Sequence, residues 1–161
     1  QLHRRQRQMC IRDRPSINLV GPLQVDAWGV QAQVQACRSL GLKRVVLVSS
    51  LCAGRWLHPL NLFGLILIWK RAGERCLERS GLDWTVIRPG GLSEEDSRST
   101  TEGVLVTEAD QQQSNSIPRR LVAQMCLDAI EQPRAFGRIL EITSSPAQPK
   151  QSLGQWLDQI A

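Results

Sequence analysis

Tyrosine is missing altogether from these 161 residues, and aromatic residues make up only 4% of the chain. Without a phenol, proton transfer by a tyrosine hydroxyl is excluded. Five cysteines (10, 37, 52, 76, 126) are present, but no Cys-x-x-Cys occurs and their number is odd. That spacing argues against a disulfide framework or a zinc site, and for reduced, mostly buried thiols in a cytosol-like compartment. No long apolar run exists either. The most apolar stretch, "LNLFGLILIW" (60–69), is far shorter than the roughly 20 residues that span a bilayer. The arginines near the start are not followed by an apolar segment and a small-residue cleavage site, so no signal peptide is evident. Finally, nothing matches Gly-x-Gly-x-x-Gly or Gly-x-x-Gly-x-x-Gly, the turn with which a dinucleotide-binding sheet ordinarily opens.

Basic charge is in excess, yet it is localised. The formal net charge is +5, and residues 1–14 carry five arginines (4, 5, 7, 12, 14) against Asp13. The remainder of the chain is therefore nearly neutral, and no nucleic-acid partner is expected. The five tryptophans (28, 56, 69, 84, 156) follow no base-stacking pattern and read as core or rim. Residues 1–13 lack an apolar period and are expected to be a foreign or disordered tail. The expected folded unit is 14–161, one domain's worth of chain.

From Pro15 onward, helix and strand patterns alternate. Leu23, Ala27, Val30, Val34 and Cys37 recur at spacings of three and four, with Pro22 before and Gly41 after: an amphipathic helix. "RVVLVSS" (44–50) reads as a strand buried on both faces, as in a parallel sheet. A second helix is expected from near Leu62 to Arg79, and "WTVI" (84–87) follows as a strand. Val104 to Val106 read as a short strand, Pro118 heads a helix, "FGRILEIT" is a strand and "SLGQWLDQI" a short closing helix. The order predicts α/β layers with right-handed crossovers. Without an opening strand–turn–helix, the expected architecture is the carboxyl-terminal portion of a Rossmann-like, doubly wound parallel sheet, with its first βαβ unit missing.

One turn carries more than topology requires. After "WTVI" the chain reads Arg88-Pro89-Gly90-Gly91, which combines a fixed φ, a missing donor and two residues without side chains. Such a turn lets something approach the backbone. It is equally a plain strand-terminating turn with Arg88 solvated. Ser49 and Ser50 end the preceding strand, where a hydroxyl faces ligand or caps the next loop. Lys70, inside an apolar helix, is ordinarily a snorkelling surface residue. His58 is a loop histidine near the expected crevice; Glu94, Glu95 and Asp96 form an acidic loop; Ser116 and Arg119 border the later helix, where Ser116 is also a candidate N-cap.

Together these segments resemble a known family. "VDAWGVQAQVQACRSLGLKRVVLVSS" is similar to the fourth helix and fifth strand of extended and atypical short-chain dehydrogenases/reductases. "KRAGERCLERSGLDWTVIRPGGL" resembles their NmrA-like, atypical branch, cyanobacterial and plastid NAD(P)-binding proteins above all, where Lys, three residues and Glu precede Ser-Gly-Leu-x-Trp-Thr and Arg-Pro-Gly. "SIPRRLVAQMCLDAIEQPRAFGRILEI" is similar to the branch's later segment.

The resemblance implies NAD or NADP as cofactor. It implies cofactor contacts from Ser49, Ser50, Lys70, Arg88, Pro89, Gly90, Gly91 and Leu92, with Ser50 and Lys70 in catalytic roles. Lys70 stands where the family's lysine bonds the nicotinamide ribose. The tyrosine position four residues earlier holds Ile66. Two functions are therefore expected: an oxidoreductase on a small substrate with a non-tyrosine donor (Ser50, His58 or water), or a catalytically silent NAD(P)-binding scaffold or redox-sensing regulator. The implied partners are the dinucleotide and a small molecule or protein, in a cytoplasmic or plastid-stroma-like compartment.

Overall fold

The computed structural model describes residues 23–51, 53, 66–113 and 115–159. The tail at 1–13, His58 and the beginning of the second helix lie outside the described residues, as does the side chain of Ile66. The first described element is a wide π-helical turn, Leu23–Trp28, which leads directly into α1, Gly29–Ser39. The expected single amphipathic helix is thus two pieces. Val30 and Val34, one turn apart, supply its buried contacts. Gly41 ends it as expected, with φ of +68°, a left-handed conformation that glycine adopts without Cβ strain.

Strand β1, Arg44–Val48, pairs in parallel with β2, Asp83–Pro89, and β2 pairs in parallel with the last strand, Arg138–Ser145. Between β1 and β2 runs α2, Ile66–Glu78, whose buried stripe is Leu67, Gly73, Glu74 and Leu77. Two short strands, β3 (Gly91–Ser93) and β5 (Ser116–Pro118), pair in parallel as a separate ribbon. β4, Gly103–Glu108, is the expected Val104–Val106 strand, but it lies antiparallel to the last strand, β6. The sheet order is therefore β1-β2-β6-β4, mostly parallel with one reversed edge, a common arrangement in doubly wound folds. The helices α3, Arg119–Glu131, and α4, Leu153–Gln159, complete the α-helices among the described residues.

Alternation along the strands sends side chains to two separate cores. On one face Val86, Trp84, Val45, Leu47 and Ile139 pack under α1 and α2, against Val30, Val34 and Leu77. On the other, Ile87, Leu140 and Ile142 pack with Val104 and Val106 against Val122, Met125 and Ala129 of α3 and Leu153 and Leu157 of α4. A fully buried Leu or Val such as Leu77 or Val86 contributes about 1.5–3 kcal/mol. The sheet is thus covered by helices on both faces, which explains the continuous apolar text of its strands.

Several local expectations change. Ser116 is a strand residue, not an N-cap; the cap of α3 is Pro118, with no side-chain cap hydrogen bond. The acidic loop after the Gly-Gly turn contains a 3-10 turn, Asp96–Thr100. Cys37, Cys76 and Cys126 are free but only half-buried rather than sequestered; burial raises the Cys126 thiol pKa.

Candidate functional site

At the carboxyl end of the sheet, the face under α2 changes from apolar to polar. β2 places Arg88 two residues beyond Val86, and the register sets Glu141 of β6 beside it. Glu74 comes down from α2 onto the same layer. Arg88 is 1% exposed and Glu74 and Glu141 are fully buried. Arg88 Nε donates to Glu74 Oε1 at 3.0 Å and Nη2 to Glu74 Oε2 at 2.8 Å, a forked pair matched to guanidinium geometry. Nη1 donates to Asp110 Oδ1 at 3.1 Å and lies 3.6 Å from Glu141 Oε1. Arg88 is therefore not a solvated cation: its guanidinium is occupied by carboxylates of the chain itself.

Glu74 holds further partners. Arg71 Nη1 donates to it at 2.9 Å, and Ser49 Oγ lies against the carboxylate without completing a well-formed hydrogen bond. Burial alone would raise the Glu74 pKa, but hydrogen bonds from Arg88 and Arg71, the Ser49 hydroxyl beside the carboxylate and the Arg88 charge hold it below the ordinary value. Burial likewise works against the charge on Arg88, and Glu74 outweighs it, raising the pKa. Behind them Glu141 Oε2 accepts from the Gln111 and Gln112 amides at 3.0 and 2.9 Å. The Gln112 side chain ties Thr143, Thr107 and the Glu141 carbonyl into the same layer. Asp110 reaches Arg88 from a left-handed backbone, φ 63°, a conformation that Asp tolerates better than most residues.

The Arg-Pro-Gly-Gly turn is contacted closely, and by the chain's own backbone. A Cβ on Gly90 would stand 2.2 Å from the Asn115 carbonyl oxygen and 3.0 Å from Thr143 Cγ2. Gly90 N donates to Ile142 O at 2.9 Å and Gly91 N to Asn115 O at 2.8 Å. The space beside Gly90 is thus filled by protein. Gly91 is different, since an added Cβ there would meet nothing nearer than 3.8 Å. Pro89 is buried at the end of β2 and its carbonyl accepts from Leu51 N at 3.0 Å, while Leu92 is 44% exposed in β3.

Ser49 and Ser50 follow β1 directly. Ser49 N donates to Ile87 O at 2.8 Å and continues the parallel ladder; Ser50 is half-buried, and its carbonyl accepts from Ala53 N. Lys70 sits on α2 one turn before Glu74, half-buried beside the buried stripe. Its Nζ donates to Asp26 Oδ1 at 3.0 Å, with both side chains partly exposed. Because α2 runs back from the carboxyl ends of the strands, Lys70 lies about 6 Å further toward and past those ends than Glu74. Its side chain tilts further in that direction. Glu94, Glu95 and Asp96 are exposed, and Glu94 lies 3.6 Å from an exposed Arg119. Among the described residues, no group of three His, Cys, Asp or Glu side chains is arranged to hold a metal. No helix among them is long and apolar enough to cross a membrane.

The residues that sequence reasoning passed over are Asp26, Glu74, Asp110, Gln112 and Glu141. Two had a signal. Glu74 completes the Lys-x-x-x-Glu spacing of "KRAGE", and Glu141 is a charge inside the otherwise apolar "ILEI", where an ion needs a partner. Asp110 and Gln112, in a polar stretch after β4, had none.

A sheet with helices on both faces and a polar layer at its strand ends is the architecture of dinucleotide-binding domains. The chain belongs to the NAD(P)H-binding family, whose profile matches residues 12–133. An uncharacterised chloroplast protein of Arabidopsis thaliana is 35% identical over 148 residues, 86% of this chain and 52% of that protein. Sanguinarine reductase of Eschscholzia californica is 34% identical over 130 residues, 78% of this chain and 47% of that enzyme. Among solved structures, a putative NAD-dependent epimerase/dehydratase from Bacillus halodurans superposes with a TM-score of 0.77 at 28% identity, covering 91% of this chain and 65% of that one. The chain spans about half the length of the curated relatives it matches. The α/β, mostly parallel Rossmann-like fold, kinship with NAD(P)H-binding epimerase- and reductase-like proteins and the NAD(P) class of cofactor all stand.

Proposed function

We propose that the protein is an oxidoreductase of this family that holds the nicotinamide ribose of NAD(P)H between Lys70 and the ends of β1 and β2. The observation that carries the reading is the position of Lys70, one helical turn beyond the Arg88–Glu74 pair with a partly exposed ammonium. An ammonium has three N–H donors and Asp26 accepts from one. Two remain for the vicinal hydroxyls of a ribose. Ser50, half-buried just past β1, and Gly91, with space beside its Cα, complete the proposed contacts. Arg88, Pro89 and Gly90 serve by holding this edge in shape; Leu92, exposed, lies on the substrate side. A nicotinamide held there would supply hydride chemistry toward an acceptor carbon, for which Ser50 or water would donate the proton. The likeness to sanguinarine reductase supports a small acceptor.

A second reading, the silent cofactor-binding scaffold, is favoured by one observation: the chain has no tyrosine to act as a phenolic donor. Turnover separates the two. Stoichiometric loss of NADPH with small carbonyl acceptors supports the oxidoreductase, and binding without oxidation supports the scaffold. The site itself is tested by saturation-transfer NMR. Nicotinamide-ribose protons of NADPH should receive magnetisation ahead of adenine protons, and Lys70→Met should abolish that difference. Transfer confined to adenine would overturn the reading.

A further inference from the structure

We infer that the amino-terminal end of the sheet, on the face covered by α1 and α2, is a docking surface for an anionic lipid membrane. Both helices run toward that end, where β1 and β2 begin side by side, so their last turns are neighbours. Arg38, in the last turn of α1, reaches across: its Nη2 lies 4.0 Å from where a Cβ on Gly81 would stand. The turn that closes α1 is a Schellman motif, with Gly41 N donating to Arg38 O at 3.2 Å and Leu42 N to Cys37 O at 2.9 Å. Such a turn commonly tucks the residue at the Leu42 position back against its helix. Here Leu42 stays 53% exposed and Leu40 is 73% exposed, the highest value among the large apolar residues described. Exposed cations surround this pair: Arg38 and Lys43 beside it, Arg75 and Arg79 at the end of α2. The acids of segments 38–44 and 71–83 are already matched. Glu74 is buried on Arg88, Glu78 accepts from Arg71, and Asp83 acts on Arg44. Beyond residue 14 the chain is nearly neutral, so a corner this basic marks a segregation of charge. Helix dipoles favour cations in a last turn, but they do not explain two leucines left in water among them. Apolar side chains ringed by Lys and Arg suit an anionic bilayer, where leucines enter the acyl boundary and cations meet headgroup phosphates. An acidic protein surface would match the cations and offer the leucines nothing. Seated this way, the chain keeps Ser50, Lys70 and Gly91, at the opposite strand ends, turned toward water.

Flotation of the full chain with vesicles of phosphatidylcholine and phosphatidylglycerol in equal parts tests this, with phosphatidylcholine alone as control. The protein should float with the mixed vesicles and not with the neutral ones; failure to float with the mixed vesicles overturns the inference. Leu40→Ser with Leu42→Ser should lower the partition coefficient about tenfold, since less apolar area leaves water on binding. Leu40→Ser alone, at the more exposed position, should cost about threefold and guards against a folding defect in the double variant. Arg75→Gln with Arg79→Gln should lower it roughly fivefold per charge. The arginines of residues 4–14 are present in every variant. Undiminished binding by both double variants would assign the membrane contact to those arginines and overturn the inference. Loss in the arginine variant with none in either leucine variant would mean a purely electrostatic surface, suited to an acidic protein, and overturns it as well. So does a lipid-free dimer, seen by light scattering, that Leu40→Ser dissociates, because a second copy would then cover the leucines.

Discussion

The guanidinium of Arg88 and the carboxylate of Glu74 meet edge to edge through two hydrogen bonds, 3.0 and 2.8 Å, with neither group reaching solvent. Their pairing fastens a helix to the end of a strand at the level where the sheet stops being apolar. A buried pair of this kind gives modest net stability, because both ions lost their hydration to form it. Its removal by halves is another matter.

Glu74→Ala should lower the unfolding free energy by about 3 kcal/mol, the lower end for leaving a buried charge unpaired. The lower end applies because Asp110 at 3.1 Å and Glu141 at 3.6 Å still face Arg88. Urea denaturation measures it. A loss under about 1 kcal/mol, the range of a surface pair, would show that those two carboxylates suffice.

The same pair sets an acid dependence. The folded Glu74 pKa lies below its ordinary value of 4.5, so the unfolded chain takes up this proton first as pH falls. Its stabilisation is whole above the unfolded-state value and is lost as pH drops through the folded one. The wild-type thermal midpoint should therefore fall more steeply below the ordinary carboxylate range than that of Glu74→Gln. Parallel acid limbs for the two proteins would refute the assignment.

The two glycines of the turn should respond differently. Gly90→Ala drives a Cβ into the Asn115 carbonyl and should cost about 1–3 kcal/mol, as overpacking does. Gly91→Ala meets ordinary contact distances and should stay within about 0.5 kcal/mol of wild type. Paired denaturation curves check this, and equal effects would mean that the Asn115 approach is not what demands glycine.

At the opposite end of the sheet, Arg44 donates to the Asp83 carbonyl, Thr85 Oγ1 and the Ala129 carbonyl near the end of α3, and its guanidinium lies 3.9 Å from the Phe136 ring centroid. Arg44→Met keeps the stem and removes the donors. The expected loss is about 2 kcal/mol, the scale of hydrogen bonds from a charged group. Ligand contacts at the far strand ends should be unchanged, so cofactor saturation transfer serves as the control.

The alternation of helix and strand, the doubly covered parallel strands and the Arg-Pro-Gly-Gly turn were legible from the residues in order. Apolar period, helix stops such as Gly41 and the continuous run of β1 are local properties, set by neighbours a few positions away. The antiparallel direction of β4 was not legible. Val104–Val106 is a short apolar strand in either direction, and only its hydrogen bonds to β6 distinguish them.

The candidate site divides in the same way. Residue type and spacing were enough to single out Ser49, Ser50 and the turn, because a hydroxyl and a missing Cβ are properties of single residues; Lys70 was singled out by the family resemblance. What each one faces depends on residues distant in sequence: Arg88 on Glu74, Lys70 on Asp26, Gly90 on the Asn115 carbonyl. Sequence alone determined which groups stand near the strand ends. Only the tertiary structure decided which are already paired within the protein, because a buried charge is stable only against the particular partner that packing brings to it.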